Sequence, residues 1–152
     1  MIVSQCVEAG LVNGDKIFVD SSFVDANASR ASLVERHRLD SAYEELEKRL
    51  EESPRAPLNN RYVSSSDPDA SMMRHGENAH LRYKTHRAVD GAHEVITSVA
   101  VTPGIVNEAN KLTDLLDDHE VSTGTKATTV AADTKYGTAD NFLICHDQSL
   151  PT

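Results

Sequence analysis

The chain has 152 residues, the size of one ordinary domain that buries roughly two-thirds of its unfolded surface. Its 24 acids against 15 Lys and Arg give a formal charge of −9, which excludes a general nucleic-acid coat, since such coats need clustered positive charge. Cys6 and Cys145 match neither a disulfide framework nor a CxxC metal site, no apolar run approaches the ~20 residues that span a bilayer, and the N-terminus lacks a signal-peptide pattern. The expectation is reduced thiols in a soluble, cytoplasmic protein with no membrane contact.

Residues 2–9 (IVSQCVEA) read as a short helix stopped by Gly10 or by Asn13-Gly14. In DKIFVDSSFV the period changes: Ile17, Val19 and Phe23 share one face and Phe18, Asp20 and Ser22 the other, the alternation of a strand. Residues 32–52 take helical spacing, opening on Ser32 and Glu35 as a Ser-x-x-Glu capping box, with Leu39, Tyr43, Leu46 and Leu50 as an apolar stripe. Pro54 and Pro57 end that helix, and SPRAPLNN reads as a connector.

A second β region follows SSSDPDA. HLRYKTHRAV and EVITSVAV, separated by a turn at Asp90-Gly91, read as a hairpin closed by Pro103-Gly104. Residues 107–119 predict a helix with Ala109, Leu112, Leu115 and Leu116 inward. TTVAAD is then a short buried strand, and residues 138–147 a last helix with Thr138 as its N-cap. Strands and helices in this order give an α/β fold in which the strand ending at Asp133 runs parallel to the one holding Asp20.

Sites in open α/β sheets gather at the carboxyl ends of adjacent strands, so Asp20 and Asp133 are the first functional candidates. Carboxylates are hard oxygen ligands, and Mg²⁺ is usually held by one or two of them with water and substrate phosphate. A strand-end aspartate also serves as a turn or cap residue, and spacing alone leaves both readings open. Asp67 and Asp69, flanking Pro68, fit a turn; His75 and His80 lack a suitably spaced further ligand for zinc. No GxSxG elbow, P-loop or dinucleotide fingerprint is present.

VDSSFVDANAS, SSSDPDASMMRHG, HLRYKTHRAVD, VTPGIVNEANKL and VAADTKYGTADNF, in this order, closely resemble the DDE-type transposase domain of bacterial and archaeal insertion sequences, from about Gly10 to Asp147. The resemblance implies an RNase H-like mixed sheet with flanking helices, the first catalytic aspartate on the first strand (Asp20) and the second just past the fourth (Asp133). It makes residues 26–60 a helical insertion after the first strand. The implied activity is DNA transposition: phosphodiester hydrolysis and strand transfer with Mg²⁺ or Mn²⁺ held by Asp20 and Asp133, and insertion-sequence ends as the DNA partner.

Tyr83, Lys84 and His86 fall in the family's Tyr-Lys-x-His motif, and alternation puts Lys84 and His86 on one strand face. With Arg82, and with Lys135 after the second aspartate, they are the candidates for DNA phosphate contact; the plain alternatives are a solvated sheet face and simple packing. The family's third acid, a glutamate on a later helix, has no match, because Asp140 and Asp147 lie in the helix directly after the second aspartate's strand. Residues 1–152 are therefore expected to be a partial catalytic domain, inactive alone, truncated before the last strand and helix and without the DNA-binding region that usually comes first. An unpaired sheet edge would invite self-association into a homo-oligomer. The second function class is non-catalytic: a truncated remnant that at most binds DNA or an intact transposase.

Overall fold

The structure, a computed structural model, describes residues 2–35, 62–75 and 78–150. Helix α1 (Ile2–Glu8) leads into strand β1 (Lys16–Asp25), a 3-10 turn (Arg30–Ser32) and β2 (Leu33–Glu35). Next come β3 (Tyr62–Ser64), β4 (Ser71–His75), β5 (Asn78–Asp90) and β6 (Ile96–Pro103). The C-terminal part holds a 3-10 turn (Glu108–Lys111), helix α2 (Leu112–Thr123), β7 (Thr129–Ala132), a further 3-10 turn (Thr134–Tyr136) and helix α3 (Ala139–Asp147).

The fold is mixed α/β. Its main sheet runs β4-β5-β1-β7 with β6 also paired to β5, and β2 and β3 form a separate antiparallel pair. β1 and β7 are parallel, with Lys16 opposite Thr129 through to Val19 opposite Ala132. β4 and β5 are antiparallel. The expected hairpin is present: the Asp90 N–H donates to the Val95 carbonyl across the turn between β5 and β6, at 2.8 Å.

The described residues divide into two compact units: 2–22, 85–100 and 107–150 in one, and 23–35, 62–75, 78–84 and 101–106 in the other. The first unit has the larger apolar core. Ile17 and Val19 of β1, Ala88 of β5, Leu112, Leu115 and Leu116 of α2, Ala127, Tyr136 and Leu150 pack together, with Val130 and Cys145 at its margin. The spacing of the α2 leucines follows directly from the helical stripe in the sequence, and all three are buried. Gly124, at a left-handed φ of 72°, stops α2, its N–H bonding back to the Glu120 carbonyl.

Beneath this core lies a polar knot. Asp90 has no exposed surface, and its carboxylate accepts the N–H groups of Gly14 at 2.7 Å and Ala92 at 2.9 Å. His119, also fully buried, donates from Nε2 to the Gly14 carbonyl at 2.9 Å and pairs Nδ1 with the Thr97 hydroxyl at 2.7 Å. The carbonyl can only accept, so Nε2 carries the proton. Gly14 is held on both sides at φ 78°, and a Cβ there would come within 2.6 Å of the Thr125 side chain. No other residue type fits that position without displacing Thr125.

In the second unit, Val63, Ala70, Leu81 and Val106 are buried. The Ser64 hydroxyl, fully buried, bonds the hydroxyls of Ser32 and Ser66 and accepts the Asp67 N–H. That serine network corrects the expected capping box. Ser29, not Ser32, caps the 3-10 turn by accepting the Ala31 N–H, and Leu33–Glu35 continues as a strand against β3. Ser32 is drawn instead to Ser64, a partner 32 residues away that sequence periodicity does not reveal. The rest of the expected helix over 32–52, and most of the insertion over 26–60, lies outside the described residues. Phe23 is part-buried, flanked by the Arg82 guanidinium at 5.6 Å and the Lys84 ammonium at 5.3 Å from its ring centre.

Among the described residues, no helix is long and apolar enough to cross a membrane.

Candidate functional site

The parallel register of β1 and β7 sets the site. Val19 stands opposite Ala132, the last pair of the parallel register, and the next residue on each chain segment is an aspartate: Asp133 directly follows the carboxyl end of β7, and Asp20 lies midway along β1, which runs on to Asp25. Neighbouring strands lie about 4.8 Å apart, which is close enough for both carboxylates to reach one ion. Asp20 is exposed, alternating with the buried Ile17 and Val19, and its carboxylate has no hydrogen-bond partner among the described residues. Asp133 has a structural task. Its Oδ1 accepts the Lys135 N–H at 3.1 Å and the Thr134 hydroxyl at 2.9 Å, capping the 3-10 turn that follows. The cap reading of this aspartate is thus realised, and Oδ2 remains outside it.

The Lys135 N–H, then the Thr134 hydroxyl, hold the Asp133 carboxyl below the usual carboxylate range; the Lys135 charge adds to this and Glu108 opposes it. Asp133 is therefore an anion at any pH near neutrality.

A further acid, not singled out by the sequence, joins this end of the sheet. Glu108 opens the 3-10 turn before α2 and is 7% exposed. Its Oε2 accepts the Ser21 hydroxyl at 3.2 Å, and its Oε1 lies 3.2 Å from the Lys135 ammonium. Glu108 pushes the Lys135 ammonium up, through a hydrogen bond and through its charge, and Asp133 and Asp20 act in the same direction. The signal available in the sequence was weak: an acid directly after Pro-Gly-Ile-Val-Asn reads as an ordinary helix-start carboxylate.

Tyr136, next to Lys135, is 4% exposed. Burial first, then the charges of Glu108, Asp20 and Asp133, push its hydroxyl up to about 12. Ser21 lies close enough to favour the ionised form, but the geometry falls short of a hydrogen bond, and the Tyr136 hydroxyl is left without a partner. Asn141 of α3 fixes the two turns that carry these groups. Its Nδ2 donates to the carbonyls of Ala109 at 3.0 Å and Tyr136 at 2.8 Å, while its N–H bonds the Thr138 hydroxyl that caps α3 as the sequence predicts.

The basic candidates behave differently from one another. Alternation does put Lys84 and His86 on one face of β5, but that face is the buried one: Lys84 is 7% exposed with Nζ on the Val106 carbonyl at 2.8 Å, and His86 has no exposed surface. Arg82 bonds the Asp25 carboxylate through Nε at 2.6 Å, with its side chain 11% exposed. None of these three presents its charge to solvent. Lys135, with 69% of its side chain exposed, does. Tyr83 donates to Asp67, which places that motif residue in the second unit's turn network.

Asp20 and Asp133 suit a hard divalent cation, since each keeps at least one carboxylate oxygen outside the protein's own hydrogen bonds. Among the described residues, no group of three or more His, Cys, Asp or Glu side chains is arranged to hold a metal ion. Comparison of the chain with protein-family models, with curated proteins and with solved structures finds no match.

Proposed function

We propose that this chain carries the paired aspartates of a DDE-type transposase, and that Asp20 and Asp133 hold Mg²⁺ or Mn²⁺ for phosphodiester chemistry on insertion-sequence DNA. The observation that carries the reading is the register of β1 and β7, in which Asp20 and Asp133 each directly follow the paired positions Val19 and Ala132. The sheet order supports an RNase H-like arrangement: β1 lies between β5, which pairs with β6 and β4, and a parallel β7. The outer edge of β7 has no partner strand among the described residues, which supports pairing of that edge with a further strand or a second copy.

When bound, the cation would lower the barrier to attack on a DNA phosphodiester by neutralising charge on the attacking and leaving oxygens. The protein's own contribution is positional. Asp133 is fixed by the cap it makes, Asp20 by the strand pairing beneath it, and Lys135 stands beside them with an exposed positive charge for phosphate. Arg82, Lys84 and His86 do not contact DNA directly in this reading. The capping duty of Asp133 favours the second reading, a non-catalytic remnant that at most binds DNA or an intact transposase.

Cleavage of the element's terminal DNA with Mn²⁺ separates the two. This chain alone is expected to give no cleavage above background, while a longer form carrying the family's downstream strand and glutamate-bearing helix cleaves in an Asp20-dependent manner. Equal, Asp20-dependent cleavage by both forms would place every necessary ligand within these residues. Cleavage by the longer form that survives Asp20→Asn would overturn the assignment, and DNA binding without cleavage by either form would favour the remnant.

A further inference from the structure

Arg87 lies on the opposite face of β5 from Lys84 and His86. It alternates with the buried His86 and Ala88, and it is itself part-exposed, on the side away from the core that Ala88 shares with Ile17 and Val19. Two contacts fix the pairing of β5 with β1. The Gly91 N–H donates to the Lys16 carbonyl at 2.8 Å, and the Ser22 and Thr85 hydroxyls bond at 3.1 Å. Between these two points the strands run antiparallel in one register, which puts Arg87 opposite Asp20. Cross-strand neighbours of this kind have Cβ atoms about 5 Å apart.

Opposite charges so placed ordinarily close on each other, for a gain of about 0.2–1 kcal/mol. These two do not. The Arg87 Nη2 donates to the Ser22 hydroxyl at 3.1 Å, with Thr85 on the same hydroxyl. Among the described residues no carboxylate lies within ion-pair distance of Arg87, and the Asp20 carboxylate has no hydrogen-bond partner. A guanidinium carries five N–H donors in a planar fork, so one hydroxyl leaves most of them for an outside acceptor. Because β1 lies between β5 and β7, the order across the sheet is Arg87, Asp20, Asp133, with the exposed Lys135 just beyond. Cations thus flank the aspartate pair on both sides. Two strand spacings, about 10 Å, separate β5 from β7, and phosphates of one DNA strand follow at about 3.4 Å along a duplex axis, so the two cations meet different phosphates.

We infer that Arg87 is a DNA-phosphate-binding residue of the aspartate site, gripping the backbone on the β5 side while Lys135 meets it on the β7 side. The inference rests on the reading of Asp20 and Asp133 as the centre of phosphodiester chemistry. The planar guanidinium suits two oxygens of one phosphate, and Ser22, with Thr85 behind it, sets the direction of the fork. A positive charge directly beside Asp20 also offsets the repulsion between that carboxylate and an incoming phosphate, in a chain whose formal charge is −9.

Fluorescence anisotropy of a labelled duplex from the element's end, titrated with the full chain in Mn²⁺ over a range of salt concentrations, tests this, with melting curves to verify folding. Arg87→Gln is expected to weaken binding about tenfold in dilute salt and to lower the slope of log affinity against log salt by about 0.9, alike for any duplex sequence. Arg87→Lys keeps the slope and recovers only part of the affinity, because the charge is retained and the fork is lost. A folded Arg87→Gln with unchanged affinity and slope overturns the inference, and the Mn²⁺ response of the Asp20→Asn, Asp133→Asn variant then shows separately whether the aspartate site stands. No binding of the duplex by the parent chain overturns the DNA reading itself, and this inference with it. If Arg87→Gln fails to fold, Arg87→Lys decides: reduced affinity at the parental slope supports the assignment, and full parental affinity overturns it.

Discussion

Exchanging both Asp20 and Asp133 for asparagine removes the thermal stabilisation that Mn²⁺ or Mg²⁺ confers on this chain. Asp20 and Asp133 each directly follow the paired positions Val19 and Ala132 of parallel strands, and the proposed cation is held by both carboxylates there. A ligand that binds the folded state alone stabilises it by about 2.7 kcal/mol at a hundredfold excess over its dissociation constant, a shift of several degrees in a domain of this size. Asparagine is the informative replacement. It caps a helical turn about as well as aspartate, so the hydrogen bonds that Asp133 makes to Lys135 and Thr134 have a substitute and the fold is retained. In metal-free buffer the variant should melt close to the parent temperature, since asparagine keeps the cap. A Mn²⁺-dependent melting shift of undiminished size in the double variant would place the ion elsewhere.

The second large effect is on stability. Asp90→Ala should lower the free energy of unfolding by about 3 kcal/mol, because the N–H groups of Gly14 and Ala92 lose their acceptor inside the fold. Burial raises the Asp90 carboxyl, but the backbone N–H groups of Gly14, Ala92 and Asn13, with His119, outweigh it and leave the group below its ordinary value. A carboxyl depressed in the folded state contributes stability above its unfolded value, about 3.9, and loses that contribution as pH falls through the lower folded value. Urea unfolding at pH 7 and pH 3 therefore should show a gap between parent and variant that narrows in acid. A gap under 0.5 kcal/mol at pH 7 would mean that the Gly14 and Ala92 amides find other partners.

Much of this arrangement is legible in the sequence, for identifiable reasons. Ile17 and Val19 alternate with Asp20, and TTVAAD ends on Asp133, so a strand carrying Asp20 and a strand leading into Asp133 follow from period and length; β1 runs on to Asp25, so Asp20 is not at its tip, and β7 is part-buried rather than buried. The α2 leucines and the Thr138 cap depend on contacts within one element, and both stand where local pattern puts them. What escapes local reading depends on distant partners. Ser32 is recruited by Ser64, so a helix-start signature becomes a turn and a strand. β4, rich in methionine and too short to alternate clearly, is a strand because β5 pairs with it. Alternation on β5 tells that Lys84 and His86 share a face but not which face the core covers, and tertiary packing covers theirs. Glu108 is far from Asp20 and Asp133 in the chain, and its contacts with Lys135 and Ser21 arise from the packing of two turns against β1, which no periodicity encodes.

The location of the bound ion is the point on which the proposed chemistry depends, and paramagnetic line broadening by Mn²⁺ in amide NMR spectra reads it directly. Substoichiometric Mn²⁺ should broaden amides near Asp20, Glu108 and Asp133, including Ser21, Lys135 and Tyr136, and leave those around His80, Asp90 and His119 sharp. Broadening centred on His80 or on the Asp67 turn, with Asp20 and Asp133 unaffected, would contradict the assignment of the two aspartates as the metal site.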